Sequence, residues 1–411
     1  MQEAGDHPSR LILARAFELN GKSKKASKFL GAYIKQNTGV LGPEMFEVAQ
    51  LRGKILATMG KHKAAEKSLK YALKALPEDE CFDSARASTE YQLASLLSAL
   101  GDFEDAQHIF NQSMPVSCDN TWKTNARIVD LFVEAAEIEN EALTLEDIEI
   151  LSEINVSAKT KIIYLVSGDL FYCQMFGPSL AKSLSKTSDD EIHLHVHGIS
   201  LGKNDPGVRN APWKKLAKSL ARSPVSTSFS KRHIERDRFQ EHQKKAVYSF
   251  ERFNVLPLFL RSFDKPVLVA DIDQIPLRSP AGLLDDEFDV ALLRFPKGVL
   301  NILSVISATL SLFRPSQEGL KAALQLQSYF TSAMNNEAKL NWHIDQAGLA
   351  VLDYKNTTAN ILHLDPKLVV TDPKKFDPYE AINEGAWFWS VTNSIAGNSQ
   401  ELESYENNNR I

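Results

Sequence analysis

Two hydrophobic periods divide the chain. In the N-terminal part, small and apolar residues recur at helical spacing. Gly21, Gly60 and Gly101 each precede an alanine by five positions (Ala26, Ala65 and Ala106), and Leu30, Leu69 and Phe110 follow four positions later. The pattern predicts helix pairs near 7–38, 46–79 and 87–118, with a further periodic stretch, Trp122–Glu139, to close the stack. From about residue 158 the apolar runs shorten and alternate with helical stretches. Strands are predicted at Lys161–Val166, Glu191–Ser200, Val225–Ser230, Lys265–Ala270, Phe288–Leu293 and Ala308–Phe313, and helices at Phe171–Lys186 and Ala246–Phe263. Strands alternating with helices predict a mostly parallel α/β sheet covered on both faces.

One helix pair cannot bury its apolar face alone, whereas several stacked pairs bury a continuous seam. The middle copy is the fullest, with Gly53, Gly60, Ala65, Leu69, Ala72 and Pro77. It resembles the tetratricopeptide repeat (TPR), with small residues where two helices touch, a glycine at the turn and a closing proline. The glycines are 39 and 41 residues apart, so the connections would be longer than in the usual unit. The domains expected are a TPR-like α-solenoid over 1–155, an α/β domain over 156–400 and a polar tail over 401–411, an α+α/β class overall.

Composition narrows the function classes. The 411 residues carry 43% hydrophobic and 24% charged residues and a formal net charge of -5, with no overall basic excess for general nucleic-acid binding. Cys81, Cys118 and Cys173 are far apart and show neither disulfide-framework nor zinc-ligand spacing. Met1–Arg10 has no apolar signal core and no run is long enough to span a bilayer, so the expected address is cytoplasmic with no transmembrane segment.

The chemistry concentrates in Pro266-Val-Leu-Val-Ala-Asp-Ile-Asp-Gln-Ile-Pro276, where an apolar strand delivers Asp271 and Asp273. Ligands bind at the carboxyl ends of strands in open α/β sheets, and two carboxylates there offer oxygen ligands to Mn²⁺ or Mg²⁺. Such a cation offsets the charge of a departing diphosphate. The bland alternative is a solvated turn.

This segment resembles the DxD motif of GT-A fold glycosyltransferases, and the resemblance extends across roughly 158–395. Ser167-Gly-Asp169 is similar to the loop holding the nucleoside, Tyr248-Ser-Phe-Glu-Arg-Phe253 to a segment preceding the DxD strand, Ala308–Arg314 to a strand behind the acceptor site, and Trp342-His-Ile-Asp-Gln346 to the start of a late helix. The resemblance implies a GT-A-like (Rossmann-like) fold and a metal-dependent transferase using a nucleotide-sugar donor. Its acceptor would be a protein, glycan or lipid-linked group, with the TPR-like repeats holding acceptor or partner. It implies metal ligation by Asp271 and Asp273, donor contacts from Ser167, Asp169 and Asp271, and an Arg252 that pairs with phosphate or orients Asp271, against the bland reading of a surface helix cation. Asp345 and Gln346 would face acceptor and sugar, Asp345 as a general base, although helix capping also explains an aspartate there. The late His-x-x-Gly-x-x-Lys segment of glycogenin-like members is absent; His363, in Ile361-Leu-His-Leu-Asp365, stands at a comparable place as a third ligand or a packed strand histidine.

Two further features stand out. His193, His195 and His197 alternate on one strand face, a spacing compatible with metal but better read as packing beneath a helix. Residues 203–245 hold twelve Lys or Arg against four Asp or Glu, read as a solvated helical face or an anion-binding border, with Lys231–Lys245 as a mobile lid. Competing functions are a TPR scaffold with a catalytically inactive GT-A-like domain and a nucleotidyltransferase. The latter would carry a Gly-rich basic loop where Ser167-Gly-Asp-Leu-Phe-Tyr172 stands.

Overall fold

The computed structural model describes residues 7–113, 143–188, 191–235, 239–295, 306–335, 340, 343–355, 358–370, 382–383 and 385–390. The chain divides into two compact units, 1–136 with 296–305, and 137–295 with 306–411. The closing helix expected at Trp122–Glu139 and the tail 401–411 lie outside the described residues.

In the first unit, helices α1 (His7–Leu19), α2 (Ser23–Gln36), α3 (Pro43–Thr58), α4 (His62–Ala75), α5 (Asp83–Leu100) and α6 (Phe103–Ser113) pack each on the next. Gly21, Gly60 and Gly101 close the three pairs with φ of +68°, +69° and +86°, a backbone region that costs a side-chain-bearing residue. The alanines five positions on are fully buried, and Leu30, Leu69 and Phe110 lie beneath them in the core. At Gly53 a Cβ atom would meet Leu69 at 2.7 Å, so α3 and α4 approach as closely as a missing side chain permits.

The second unit is built on a mixed sheet. Its strands are β1 (Glu149–Ser152), β2 (Ile162–Gly168), β3 (Ile192–Leu201), β4 (Ser226–Ile234), β5 (Val267–Ala270), β6 (Gln274–Pro276), β7 (Val290–Arg294), β8 (Ile306–Phe313), β9 (Ile361–Leu364), β10 (Val369–Val370) and β11 (Phe388–Ser390). The main sheet runs β1-β4-β3-β2-β5-β8-β7-β9, and β10-β11-β6 form a small second one. Its centre, β4-β3-β2-β5, is parallel, while β8 runs antiparallel to both β5 and β7.

Every residue of β2 and β5 is buried, as expected where helices cover both faces of a parallel centre. On one face Ile162, Tyr164 and Val166 join a core supplied by α7 (Leu170–Thr187) and α8 (Asn210–Leu220). On the other, α9 (Glu241–Phe263) packs on β2, β3 and β5, and its Phe250 stacks at 5.0 Å on Phe330 of α10 (Gln317–Asn335). Helix α11 (Ile344–Lys355) follows.

The strands and the two α/β helices expected from the sequence are present. The edge strand β1 pairs with β4 and falls on the N-terminal side of the boundary expected at residue 155. Part of the segment read as a lid, residues 236–238, lies outside the described residues, while its flanks are fixed: Lys231 is 4% exposed within β4, its ammonium held by the Val208 carbonyl at 3.1 Å and by Asn210 Oδ1, and residues from Glu241 onward are helix. The lysines of α8 do form a solvated face, since Trp213, Leu216, Ala217 and Leu220 turn inward and Lys214, Lys215 and Lys218 are exposed.

Candidate functional site

Chain order makes the site. From β2 the chain moves to β3 and β4 on one side, then returns to place β5 on the other side of β2. The strand order reverses between β2 and β5, the place where open α/β sheets take ligands beyond the carboxyl ends of their strands. Ser167–Asp169 ends one of these strands and Asp271–Asp273 ends the other.

Asp271 is anchored through its backbone, its N–H donating to the Thr309 carbonyl at 3.2 Å. A turn follows, closed by the Gln274 N–H on the Asp271 carbonyl at 3.1 Å. Within it Ile272 is buried while Asp271 and Asp273 keep partial access to solvent. Arg252 of α9, itself buried, directs Nη1 to Asp271 Oδ1 and Nη2 to the Ala308 carbonyl at 2.9 Å and to Asp345 Oδ2 at 3.2 Å. The guanidinium therefore ties the β5 terminus to the start of α11. Asp345 Oδ1 also accepts the Gln346 N–H at 2.8 Å. Two residues earlier His343 adopts φ of +75°, a strained region for a residue with a side chain, of the kind that gathers at functional sites.

Charge in this cluster is unbalanced. Burial, and then the neighbouring Asp271 charge, push Asp273 up to about 7. Burial also raises Asp345, against the pull of Arg252. The phenol of Tyr164 is raised by burial and next by Asp271 and Asp273, and that of Tyr172 by burial and next by Asp273. One guanidinium thus faces Asp271 and Asp345 while Asp273 has no cation of its own among these groups. A site short of positive charge and rich in carboxylate oxygen suits a hard divalent cation.

The residues expected on the nucleoside side, Ser167 and Asp169, lie at the end of β2. Ser167 Oγ donates to the Tyr248 carbonyl at 3.0 Å, and Asp169 caps α7 by accepting the Tyr172 N–H at 2.7 Å. Asp205, in the loop after β3, faces Asp169 and accepts the Tyr248 hydroxyl at 3.4 Å; burial first and Asp205 later raise Asp169. Phe171, Tyr172 and Met175 leave an exposed apolar edge on the first turns of α7.

His363 is not brought to this group. It pairs with Leu292, which pairs with Ser311, which pairs with Val269, placing it three strands from β5, about 14 Å at ordinary strand spacing. Its Nε2 lies 2.6 Å from Asp353, which also holds Arg294 at 2.7 Å, so it is a paired edge-strand histidine and the third-ligand reading is corrected. Among the described residues no cluster of three or more His, Cys, Asp or Glu side chains is placed to hold a metal, and the three strand histidines are bridged by serines. A cavity of about 450 Å³ opens elsewhere, at the β1 edge beside Glu149, Lys231 and His233.

Sequence reasoning did not foresee Tyr164, Asp205 or the Arg252–Asp345 link. A tyrosine inside an all-apolar strand two positions from Val166 was the only signal, and the other two depend on loop closure.

No family profile matches the chain, and no curated protein matches it in sequence. Among solved structures it is similar to the glycosyltransferase GlyE of Streptococcus pneumoniae TIGR4, at 16% identity and a TM-score of 0.34 over 51% of this chain and 46% of that one. The apo form of GlyE gives 13% identity and a TM-score of 0.38 over 61% of each chain. The chain thus spans less than two thirds of the length of either GlyE chain it matches.

Proposed function

We propose that this chain is a metal-dependent glycosyltransferase of GT-A type, moving a sugar from a nucleotide-sugar donor to an acceptor. The observation that carries the reading is the pair Asp271 and Asp273 at the carboxyl end of β5, beside the strand-order reversal, with Asp273 raised first by burial and then by the neighbouring Asp271 charge. Asp273 would hold Mn²⁺ or Mg²⁺, with Asp271 contributing an oxygen that Arg252 keeps in place. When bound, the cation supplies charge neutralisation to the diphosphate leaving group.

The chain's own residues divide the remaining work. Asp169 and Ser167 would border the nucleoside. Arg252 orients Asp271, and Asp345 positions Arg252 rather than acting as a free base, because its Oδ2 is committed to the guanidinium and its Oδ1 to the Gln346 N–H. Gln346 opens α11 beside this group and would face the sugar. The helical unit, read as TPR-like, would present the acceptor or a protein partner. No helix among the described residues is long and apolar enough to cross a membrane.

A thermal-shift panel of UDP-, GDP-, CMP- and dTDP-sugars, with and without Mn²⁺, tests the reading. Stabilisation by one nucleotide class only when metal is present supports it. Equal melting temperatures across the panel would assign the α/β unit to a scaffold instead.

A further inference from the structure

Beneath α9 three imidazoles and three hydroxyls alternate in one hydrogen-bonded file. The register of β3 on β4 sets His193 beside Ser226, His195 beside Ser228 and His197 beside Ser230. Each ring bridges its own partner and the next. Ser226 Oγ lies 2.8 Å from His193 Nδ1, and His193 Nε2 lies 2.7 Å from Ser228 Oγ. Ser228 Oγ is 2.7 Å from His195 Nδ1, His195 Nε2 is 2.8 Å from Ser230 Oγ, and Ser230 Oγ is 2.7 Å from His197 Nδ1.

The file has two different ends. Ser226 is exposed at the amino-terminal rim of β4, whereas every later member is buried. At the far end His197 Nε2 stands 4.0 Å from Oε1 of Glu251, a fully buried carboxylate that also holds Arg232 at 2.7 Å and accepts the Asn254 amide at 2.7 Å. Phe259 covers His195 with ring centroids 4.3 Å apart. The charged groups facing the file are therefore Glu251 from α9 and Arg232 from β4.

Either sense of polarity satisfies the five serine–histidine links, and Glu251 selects one of them. A nitrogen lone pair facing Glu251 would be repelled, so His197 carries its proton on Nε2 and accepts at Nδ1. Ser230 then donates to His197 and accepts from His195 Nε2–H, and the same assignment repeats to Ser226. Burial keeps the rings neutral, holding His193 down to about 4, His197 down to about 3 and His195 well below its ordinary value.

We propose that this His–Ser file is a proton relay joining solvent at Ser226 to Glu251. Ser226 takes a proton from water and gives its own to His193 Nδ1. His193 releases its Nε2 proton to Ser228, which passes its own to His195, and the exchange repeats through Ser230 to His197. His197 hands its Nε2 proton to Glu251. Each serine oxygen and each ring forms one bond to hydrogen and breaks one, the water at the mouth gives up a proton and remains as hydroxide in bulk solvent, and Glu251 gains that proton, with the rings left as Nδ1–H tautomers. The final 4.0 Å gap exceeds a hydrogen bond, so delivery is gated at Glu251, where protonation releases Arg232 from its ion pair.

The test uses the full chain with ¹⁵N-labelled histidine. Long-range ¹H–¹⁵N spectra are expected to show all three rings as Nε2–H, and the His197 ring proton to exchange with deuterium well ahead of the Val196 and Gly198 amides. Ser228→Ala removes two links of the file and should slow ring exchange by about tenfold or more while leaving those amides unchanged, and Ser228→Thr restores the rate. Ser226→Ala, at the exposed mouth, removes one link and should also slow ring exchange, by a smaller factor of about five to tenfold, without touching the core. An Nδ1–H His195 in the resting protein, ring exchange in step with the amides, or ring exchange unchanged in Ser226→Ala would each overturn the relay.

Discussion

Arg252 and Asp345 are 93 residues apart in sequence and meet with Nη2 3.2 Å from Oδ2, both buried. The same guanidinium holds Asp271, so one cation fixes the end of β5 against the start of α11. Arg252→Ala leaves two carboxylates without their cation, and a loss of about 3–5 kcal/mol is expected in urea unfolding. Arg252→Lys keeps the charge but cannot reach both acids as a planar fork, and an intermediate loss is expected. Unfolding curves that superimpose on the unmodified protein for both variants contradict this positioning role.

Asp273 gives the apo protein a pH dependence of definite sign. Its folded-state value of about 7 lies above the unfolded one near ~3.9, so between these values the folded state binds the extra proton. Stability from this group is therefore present at acid pH and lost as pH rises from about 4 to about 7. Asp273→Asn should flatten that fall, and the variant should melt above the unmodified apo protein at pH 8. Melting temperatures of the two proteins at pH 5 and pH 8 check the crossing.

In the helical unit, two glycines are needed for different reasons. Gly53→Ala drives a Cβ into Leu69 at 2.7 Å, with an expected overpacking cost of about 1–3 kcal/mol. Gly60→Ala meets nothing within 4 Å but must hold φ of +69°, costing about 1–2 kcal/mol by backbone strain alone. A compensating Leu69→Ala change should lessen the Gly53→Ala penalty relative to its own and leave the Gly60→Ala penalty unchanged, which a double-mutant cycle reads directly.

Lys231 is a buried strand residue, and its removal should register as such. Lys231→Ala strips the Val208 carbonyl and Asn210 of a donor, with an expected loss of about 1–3 kcal/mol, while Lys214→Ala on the solvated face of α8 should stay within about 0.5 kcal/mol. Equal, near-zero effects in chemical denaturation would favour the lid reading.

Local pattern announced much of this. Strand periodicity, the Gly-to-Ala spacing of the helix pairs and the Asp-x-Asp ending an apolar run are all short-range signals, and the helices and strands they predict are in place among the described residues. What depended on distant closure was not legible. Nothing near His363 shows that β9 joins the sheet beyond β7 and so carries it away from Asp271. The serines at 226, 228 and 230 look like an ordinary polar strand until β4 is set in register with β3, when each becomes the partner of a histidine. Asp345 reads from the sequence as a general base or a helix cap, and its pairing with Arg252 is not legible because that cation comes from another helix.

The central claim is that Asp271 and Asp273 jointly hold a divalent cation against the diphosphate of a nucleotide donor. The most direct measurement is electron paramagnetic resonance of Mn²⁺ titrated into the protein with and without UDP, repeated with Asp273→Asn. The account predicts that UDP converts free Mn²⁺ signal into bound ion in the unmodified protein and not in the variant. Mn²⁺ that stays free with UDP present, or binds equally well to the variant, would contradict it.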